Sequence, residues 1–205
     1  KNLVQMYESL SKVAEKKDNT IVKISAVTTD TDWFNNTLQN ESSCSGIIIA
    51  KSGDSLIVLA PNMEKEGGIK VGFYDGSNQE ATVIGSDGLT NLMILSVDIS
   101  SMEEKIKSIE PVVLGNSYQL KKGAFILAVG SPVGVSRSID IGNITAIDKN
   151  ASFFDGYGRV IYCDKHLDSI GTFLIDTSGN LVGVVSNLDD SSSISMAYGI
   201  SDLKV

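Results

Sequence analysis

The feature that most constrains this chain is a succession of short, β-branched apolar runs, each closed within a few residues by Gly, Asp, Asn or Ser. Ile21-Val22-Lys23-Ile24-Ser25, Gly46-Ile47-Ile48-Ile49-Ala50, Leu56-Ile57-Val58-Leu59 and Gly68-Ile69-Lys70-Val71-Gly72-Phe73 are of this kind. So, in the second half, are Ala124-Phe125-Ile126-Leu127-Ala128-Val129-Gly130, Gly142-Asn143-Ile144-Thr145-Ala146-Ile147, Thr172-Phe173-Leu174-Ile175 and Leu181-Val182-Gly183-Val184-Val185. Runs of this length with stiff, branched side chains read as strands, and the punctuation between them reads as turns. Lys51-Ser52-Gly53-Asp54 and Tyr74-Asp75-Gly76-Ser77 suit hairpins because Asp and Gly tolerate the backbone angles that tight turns demand, and Asp176-Thr177-Ser178-Gly179 and Ser186-Asn187-Leu188-Asp189 read as further turns. With 19 Gly against 3 Pro, the punctuation is that of tight turns rather than of linkers. Many short strands in two similar halves predict an all-β sandwich or barrel.

Two segments break the pattern. In residues 1–17, Leu3, Val4, Met6, Leu10, Val13 and Ala14 fall at helical spacing among Glu and Lys, which predicts one amphipathic helix packed on the β structure. Ile99-Ser100-Ser101-Met102-Glu103-Glu104-Lys105 is polar, suits a helical turn and marks the junction between the halves. The expected organisation is therefore a helix in residues 1–20, a first β unit in 21–105 and a second in 106–205.

Charge narrows the partners. A formal net charge of −8 repels a phosphate backbone, and no basic patch with interleaved aromatics occurs, so nucleic acid is not an expected partner. Cys44 and Cys163 lack the paired spacing of a zinc site, and no cluster implies a metal or an organic cofactor. The two cysteines leave open either a single bridge or two buried thiols, and with that choice the redox compartment. No run of about 18 apolar residues occurs, so a membrane association is expected only through a segment outside these residues.

Beyond periodicity, the chain resembles a known family, the HtrA/Deg branch of the trypsin-like serine proteases. The likeness runs from about Ile21 to Leu203. Ser45-Gly46-Ile47-Ile48-Ile49 resembles the family's small-Gly-aliphatic strand, Asp75-Gly76 its hairpin, and Ser86-Asp87-Gly88-Leu89-Thr90-Asn91-Leu92-Met93-Ile94-Leu95 its strand through the catalytic aspartate. Leu114-Gly115-Asn116-Ser117, Lys122–Gly134, Gly142–Ile147, Gly179–Val184 and Ala197-Tyr198-Gly199-Ile200-Ser201 follow in the family's order. The resemblance implies two six-stranded antiparallel β-barrels preceded by the N-terminal helix. It also implies an extracytoplasmic, bacterial domain, in a family whose members commonly carry an N-terminal anchor and a C-terminal PDZ domain.

The same resemblance locates the chemistry. In a Ser/His/Asp triad the imidazole takes the serine proton, and a buried carboxylate fixes its tautomer and supports its charge. The family's histidine falls on Pro61, which has no acid or base, and its aspartate on Asn91, which carries no charge. The nucleophile motif Gly-x-Ser-Gly-Gly falls on Leu167-Asp168-Ser169-Ile170-Gly171, so Ser169 alone keeps its residue type. Leu167 and Ser169 occupy the two oxyanion-hole positions, and a leucine reaches the dihedrals of the family's glycine there only at a cost. Cys163–Asp168 is about three residues shorter than the family's approach to the serine, which implies a shrunken or absent specificity pocket.

The reading is a noncatalytic domain whose scaffold binds a peptide or protein, a pseudoprotease. The alternative is a serine endopeptidase with a remodelled site, in which His166, the only histidine, or Lys165 serves Ser169 as an unorthodox base. A purely structural module is the third reading. Asp148–Arg159, with Phe153, Phe154 and Tyr157 among polar residues, suits either a binding loop or aromatics packed beneath one, and Thr28–Asn36 with the only Trp, Trp33, is similar.

Overall fold

Alternation decides which way each strand faces. In the strand Ser55–Pro61, Leu56, Val58 and Ala60 are buried, whereas Ser55, Ile57 and Pro61 are partly exposed; in Ile69–Gly72, Lys70 points out between buried Ile69 and Val71. One face of each strand thus turns apolar side chains inward, and sheets of such strands lose their open edges by closing on themselves. The computed structural model describes residues 2–31, 37–63, 68–153, 156–168, 171–186 and 195–203. It contains two closed six-stranded antiparallel barrels and an N-terminal helix.

The first barrel comprises β1 (Ile21–Thr31), β2 (Thr37–Ser52), β3 (Ser55–Pro61), β4 (Ile69–Gly72), β5 (Asn78–Asp87) and β6 (Leu92–Asp98), arranged β1-β2-β3-β6-β5-β4 and closed by β4 against β1. Ile24, Ile48, Val58, Val71 and Leu95 fill its interior. Register shifts at Ile48/Ala50 and Val83/Gly85 place bulges in β2 and β5, which bend the strands that closure requires. The short helix α1 lies at the N-terminus (Leu3–Glu15), and α2 (Glu104–Lys107) follows β6. The helical turn sits later than its polar sequence suggests because Ile106 and Ile109 are buried in the first barrel's core.

The second barrel comprises β7 (Phe125–Gly130), β8 (Ser138–Phe153), β9 (Gly156–Cys163), β10 (Thr172–Ile175), β11 (Leu181–Val185) and β12 (Ser195–Gly199), in the order β10-β11-β12-β9-β8-β7, with β7 closing on β10. Its core holds Ile126, Ile144, Ile161, Leu174, Val182 and, from outside the strands, Leu167. The chain divides into two compact units, residues 19–111 with the first barrel and residues 1–18 plus 112–205 with the second.

Asn2 caps α1, its side-chain oxygen accepting from the Val4 amide at 3.3 Å, and the helix lies against β7 and β8. Of its apolar residues only Leu10 and Ala14 are buried; Leu3 and Val4 remain 64% and 60% exposed. Leu3 lies seven residues from Leu10, on nearly the same side of the helix, so the contact with the barrel is confined to the later turns. The segment read as a long aromatic loop is mostly a hairpin: β8 and β9 pair from Ile144↔Cys163 to Phe153↔Gly156. Trp33, Phe34, Phe154 and residues 187–189 of the last expected turn lie outside the described residues. Among the described residues, no helix is long and apolar enough to cross a membrane.

Candidate functional site

Within the first barrel, the two positions that the resemblance aligns with the family's histidine and aspartate are neighbours. Pro61 ends β3 and pairs with Leu92 at the start of β6, and the next residue along β3, Asn62, donates its amide to the Asn91 carbonyl at 2.8 Å. The ladder thus runs one step past the strands and brings positions 61 and 91 to one corner of the barrel. Asn91 is exposed and has φ 55°, a left-handed conformation that asparagine tolerates better than most residues. The stretch Ser86–Leu95 is therefore not one strand: β5 ends at Asp87, a turn occupies residues 88–91, and β6 begins at Leu92.

Asp87 organises that turn. Its carboxylate accepts from the Leu89 amide at 3.2 Å, the Thr90 amide at 3.1 Å and the Thr90 hydroxyl at 2.6 Å. These bonds, the Thr90 hydroxyl foremost, hold the carboxyl below the usual aspartate range. The carboxylate nearest in sequence to position 91 is thus consumed in shaping the backbone. The Oδ1 of Asn62 is buried and has no hydrogen-bond partner.

Within the second barrel, the segment after β9 is the one that the resemblance aligns with the family's nucleophile motif. Asp164 ties its start to β8, its amide donating to the Asn143 carbonyl at 3.1 Å and its carboxylate accepting from the Asn143 amide at 2.8 Å. Lys165 lies 3.6 Å from the Asp140 carboxylate, and His166 is exposed. Leu167 then turns inward: it is 1% exposed and packs in the core with Ile126, Ile161 and Val182. Its amide donates to the Ser195 hydroxyl at 2.5 Å, and that hydroxyl donates to the Leu167 carbonyl at 3.2 Å. Ser195 in turn donates its own amide to the Lys165 carbonyl at 3.2 Å.

The apolar side chain explains this geometry. A glycine at position 167 leaves the peptide free to face solvent, whereas a leucine gains about 2 kcal/mol by entering the core and carries its peptide with it. The buried amide and carbonyl then need partners, and Ser195, itself fully buried, supplies both. The Leu167 amide, at a position that the resemblance assigns to the oxyanion hole, thus donates into the protein. Asp168 follows, its amide donating to the Pro132 carbonyl at 3.0 Å. Ser169 and Ile170 lie outside the described residues, and at Gly171, φ 82°, the carbonyl accepts from the Ser131 amide at 3.0 Å.

Sequence reasoning singled out positions 61, 91 and 165–169 but not Ser195, whose only sequence signal is a hydroxyl opening an otherwise apolar strand. Cys44 and Cys163 are both buried free thiols, which decides between the two readings left open for them. Among the described residues, no group of three or more His, Cys, Asp or Glu is disposed to hold a metal ion.

Comparisons with known proteins agree with this architecture. The profile of the family described as Trypsin-like peptidase domain matches residues 44–184. The serine protease Do-like HtrA of Bacillus subtilis (strain 168) is 29% identical over 173 residues, covering 78% of this chain and 37% of the relative. The serine endoprotease DegS of Haemophilus influenzae is 31% identical over 156 residues, covering 73% of this chain and 43% of the relative. Among solved structures, the HtrA-type protease AlgW with decapeptide superposes with a TM-score of 0.73 at 22% identity, covering 94% of this chain and 64% of that one. The chain thus spans 37% to 43% of the length of those two relatives.

Proposed function

This chain belongs to the trypsin-like peptidase family, in its HtrA branch, and from that premise we propose that it is a catalytically inactive member, a pseudoprotease retained as a peptide- or protein-binding module. The observation that carries the reading is the corner of the first barrel where Pro61 and Asn91 stand side by side. Neither side chain accepts a proton at neutral pH. Loss of the base alone costs about six orders of magnitude in turnover in worked triads. The remaining catalytic power of such a site comes from its oxyanion hole, and the Leu167 amide is committed to Ser195.

Two further features support the reading. Lys165 is engaged by Asp140, which argues against its service as a neutral base beside Ser169. The burial of Leu167 in the barrel core supports a filled rather than an open specificity pocket. Peptide binding is supported by the solved relative, an HtrA-type protease with a bound decapeptide. An extracytoplasmic location is supported by relatives named as probable periplasmic endoproteases, such as that of Buchnera aphidicola subsp. Baizongia pistaciae (strain Bp).

Labelling with a fluorophosphonate probe tests the proposal, comparing the parent protein with Ser169→Ala, His166→Ala and Lys165→Ala. The expected result is no Ser169-dependent adduct in the parent. Labelling that disappears in Ser169→Ala and in either His166→Ala or Lys165→Ala would overturn the proposal in favour of a peptidase with a re-formed dyad.

A further inference from the structure

One loop of the second-barrel unit touches both sides of the nucleophile position and is itself tied to the end of the N-terminal segment. It is the β7–β8 connection, residues 131–137. At one end, the Ser131 amide donates to the Gly171 carbonyl at 3.0 Å; next to it, the Pro132 carbonyl accepts from the Asp168 amide at 3.0 Å. These two bonds bracket positions 169 and 170. The approach is close: a Cβ added to Gly130 lies 2.2 Å from the Gly171 carbonyl oxygen, and one added to Gly134 lies 3.2 Å from an Asp168 carboxylate oxygen.

At its other end the loop reaches Arg137, a non-glycine residue with φ 63°. Such a conformation is disfavoured for a long side chain and persists where surrounding contacts over-determine it. The contacts here include the Asp18 pair. The Arg137 guanidinium donates to the Asp18 carboxylate and, at 3.2 Å, to the Asp18 carbonyl. Both bonds come from one guanidinium nitrogen, Nη1, which ties Arg137 to a backbone and a side-chain oxygen of the same residue. Asp18 is also where the chain leaves this unit, since Asn19 begins the other.

We propose that the Asp18–Arg137 pair is a positioning device that couples the end of the N-terminal segment to the backbone on either side of the nucleophile position. The pair holds Arg137 in its left-handed conformation, the loop 131–137 takes its path from that anchor, and the loop presents the Ser131 amide and Pro132 carbonyl to Gly171 and Asp168. A displacement of Asp18 therefore reaches positions 168 and 171 through two sets of hydrogen bonds joined by the backbone of the loop. The coupling stands whether or not Ser169 reacts.

Hydrogen exchange of individual amides tests it, in the parent protein, Asp18→Asn, Arg137→Gly and the double variant. Glycine at 137 removes the ion pair while relieving the left-handed conformation, so global stability is preserved. The expected result is exchange about three- to fivefold faster at the Asp168 and Ser131 amides in each single variant, with the Ile161 amide unchanged. The double variant is expected to match the single ones, since both remove one coupling. Unchanged exchange at Asp168 in both single variants, or additive acceleration in the double, would overturn the proposal. So would acceleration of Ile161 in step with Asp168, which marks general loosening.

Discussion

The amide of Leu167 and the hydroxyl of Ser195, 28 residues apart in sequence, form a closed exchange: the amide donates to Ser195 Oγ at 2.5 Å, and Oγ donates back to the Leu167 carbonyl at 3.2 Å. One buried hydroxyl thereby serves both polar groups of a peptide unit that the leucine side chain draws into the core. Removing it leaves both groups short of a buried partner, at a cost of about 1–3 kcal/mol. Ser195→Ala is therefore expected to lower the melting temperature of the second-barrel unit by about 2–12 °C. Differential scanning calorimetry measures this. An unaltered transition would mean that the Leu167 peptide reaches solvent, and that its amide is available as an oxyanion donor.

The two thiols make a prediction at alkaline pH. Burial pushes both Cys44 and Cys163 up to about 12 from 9.0, with the Asp164 charge adding to the effect at Cys163. The folded state therefore keeps protons that the unfolded chain releases. Their contribution is intact below pH 9 and is lost progressively as pH rises from 9 toward 12. Thermal melts from pH 8 to 11 are expected to fall more steeply in the parent than in Cys44→Ala/Cys163→Ala, each compared with its own value at pH 8. A disulfide-exchange reagent at pH 8 is expected to titrate neither thiol in the native protein and two in denaturant; rapid native reaction would refute the burial.

How much of this was legible in the sequence differs between fold and site. Period-two burial is a local property, so runs such as Leu56–Leu59 and Ile69–Val71 announce strands, and their number and turns announce closed all-β architecture. Resemblance supplied the pairing of halves into barrels and the alignment of Pro61, Asn91 and Ser169. What stayed hidden depends on contacts between distant residues. The break at Asn91 is set by Asp87 folding back on Thr90, and the inward turn of Leu167 requires a hydroxyl from β12. The Asp148–Arg159 stretch carries the polar and aromatic composition of a loop, yet pairing of Asp148–Phe153 with Gly156–Val160 makes it the end of the β8–β9 hairpin. Leu3 has the spacing of a buried helix residue and is exposed because spacing says nothing of how far a partner surface extends.

At acid pH the informative group is Asp75, in the turn between β4 and β5. Its carboxylate accepts from the Ser77 hydroxyl at 2.6 Å and the Ser77 amide at 2.9 Å, with Lys105 at 3.1 Å. These partners, Ser77 first, hold its pKa down at about 2 against 3.8. The folded state thus binds this proton less readily than the unfolded chain. Its contribution is present above pH 3.8 and is lost as pH falls through about 2. Asp75→Asn is expected to start slightly less stable at pH 7 and to lose less between pH 4 and 2, measured as urea midpoints. Parallel pH profiles for parent and variant would rule out the anchoring role.

The wedge between β7 and the nucleophile segment predicts a contrast between two glycines. Gly130 has φ 98°, and a methyl group there meets the Gly171 carbonyl oxygen at 2.2 Å and the ring of fully buried Phe173 at 3.2 Å. The first neighbour is backbone, tied by its bond to Ser131, and the second is enclosed by core, so neither yields cheaply. Gly76 has a similar φ of 86° but nothing within 4 Å of the added carbon. Alanine at 76 therefore costs only the left-handed conformation, about 1–2 kcal/mol, whereas alanine at 130 adds overpacking of about 1–3 kcal/mol more. Gly130→Ala is expected to melt about 2–12 °C below Gly76→Ala, and to accelerate amide exchange at Ser131 and Asp168 ahead of β8 and β9. Equal melting temperatures would show that Gly171 can withdraw, which would dissolve the close packing through which loop 131–137 shapes the segment around position 169.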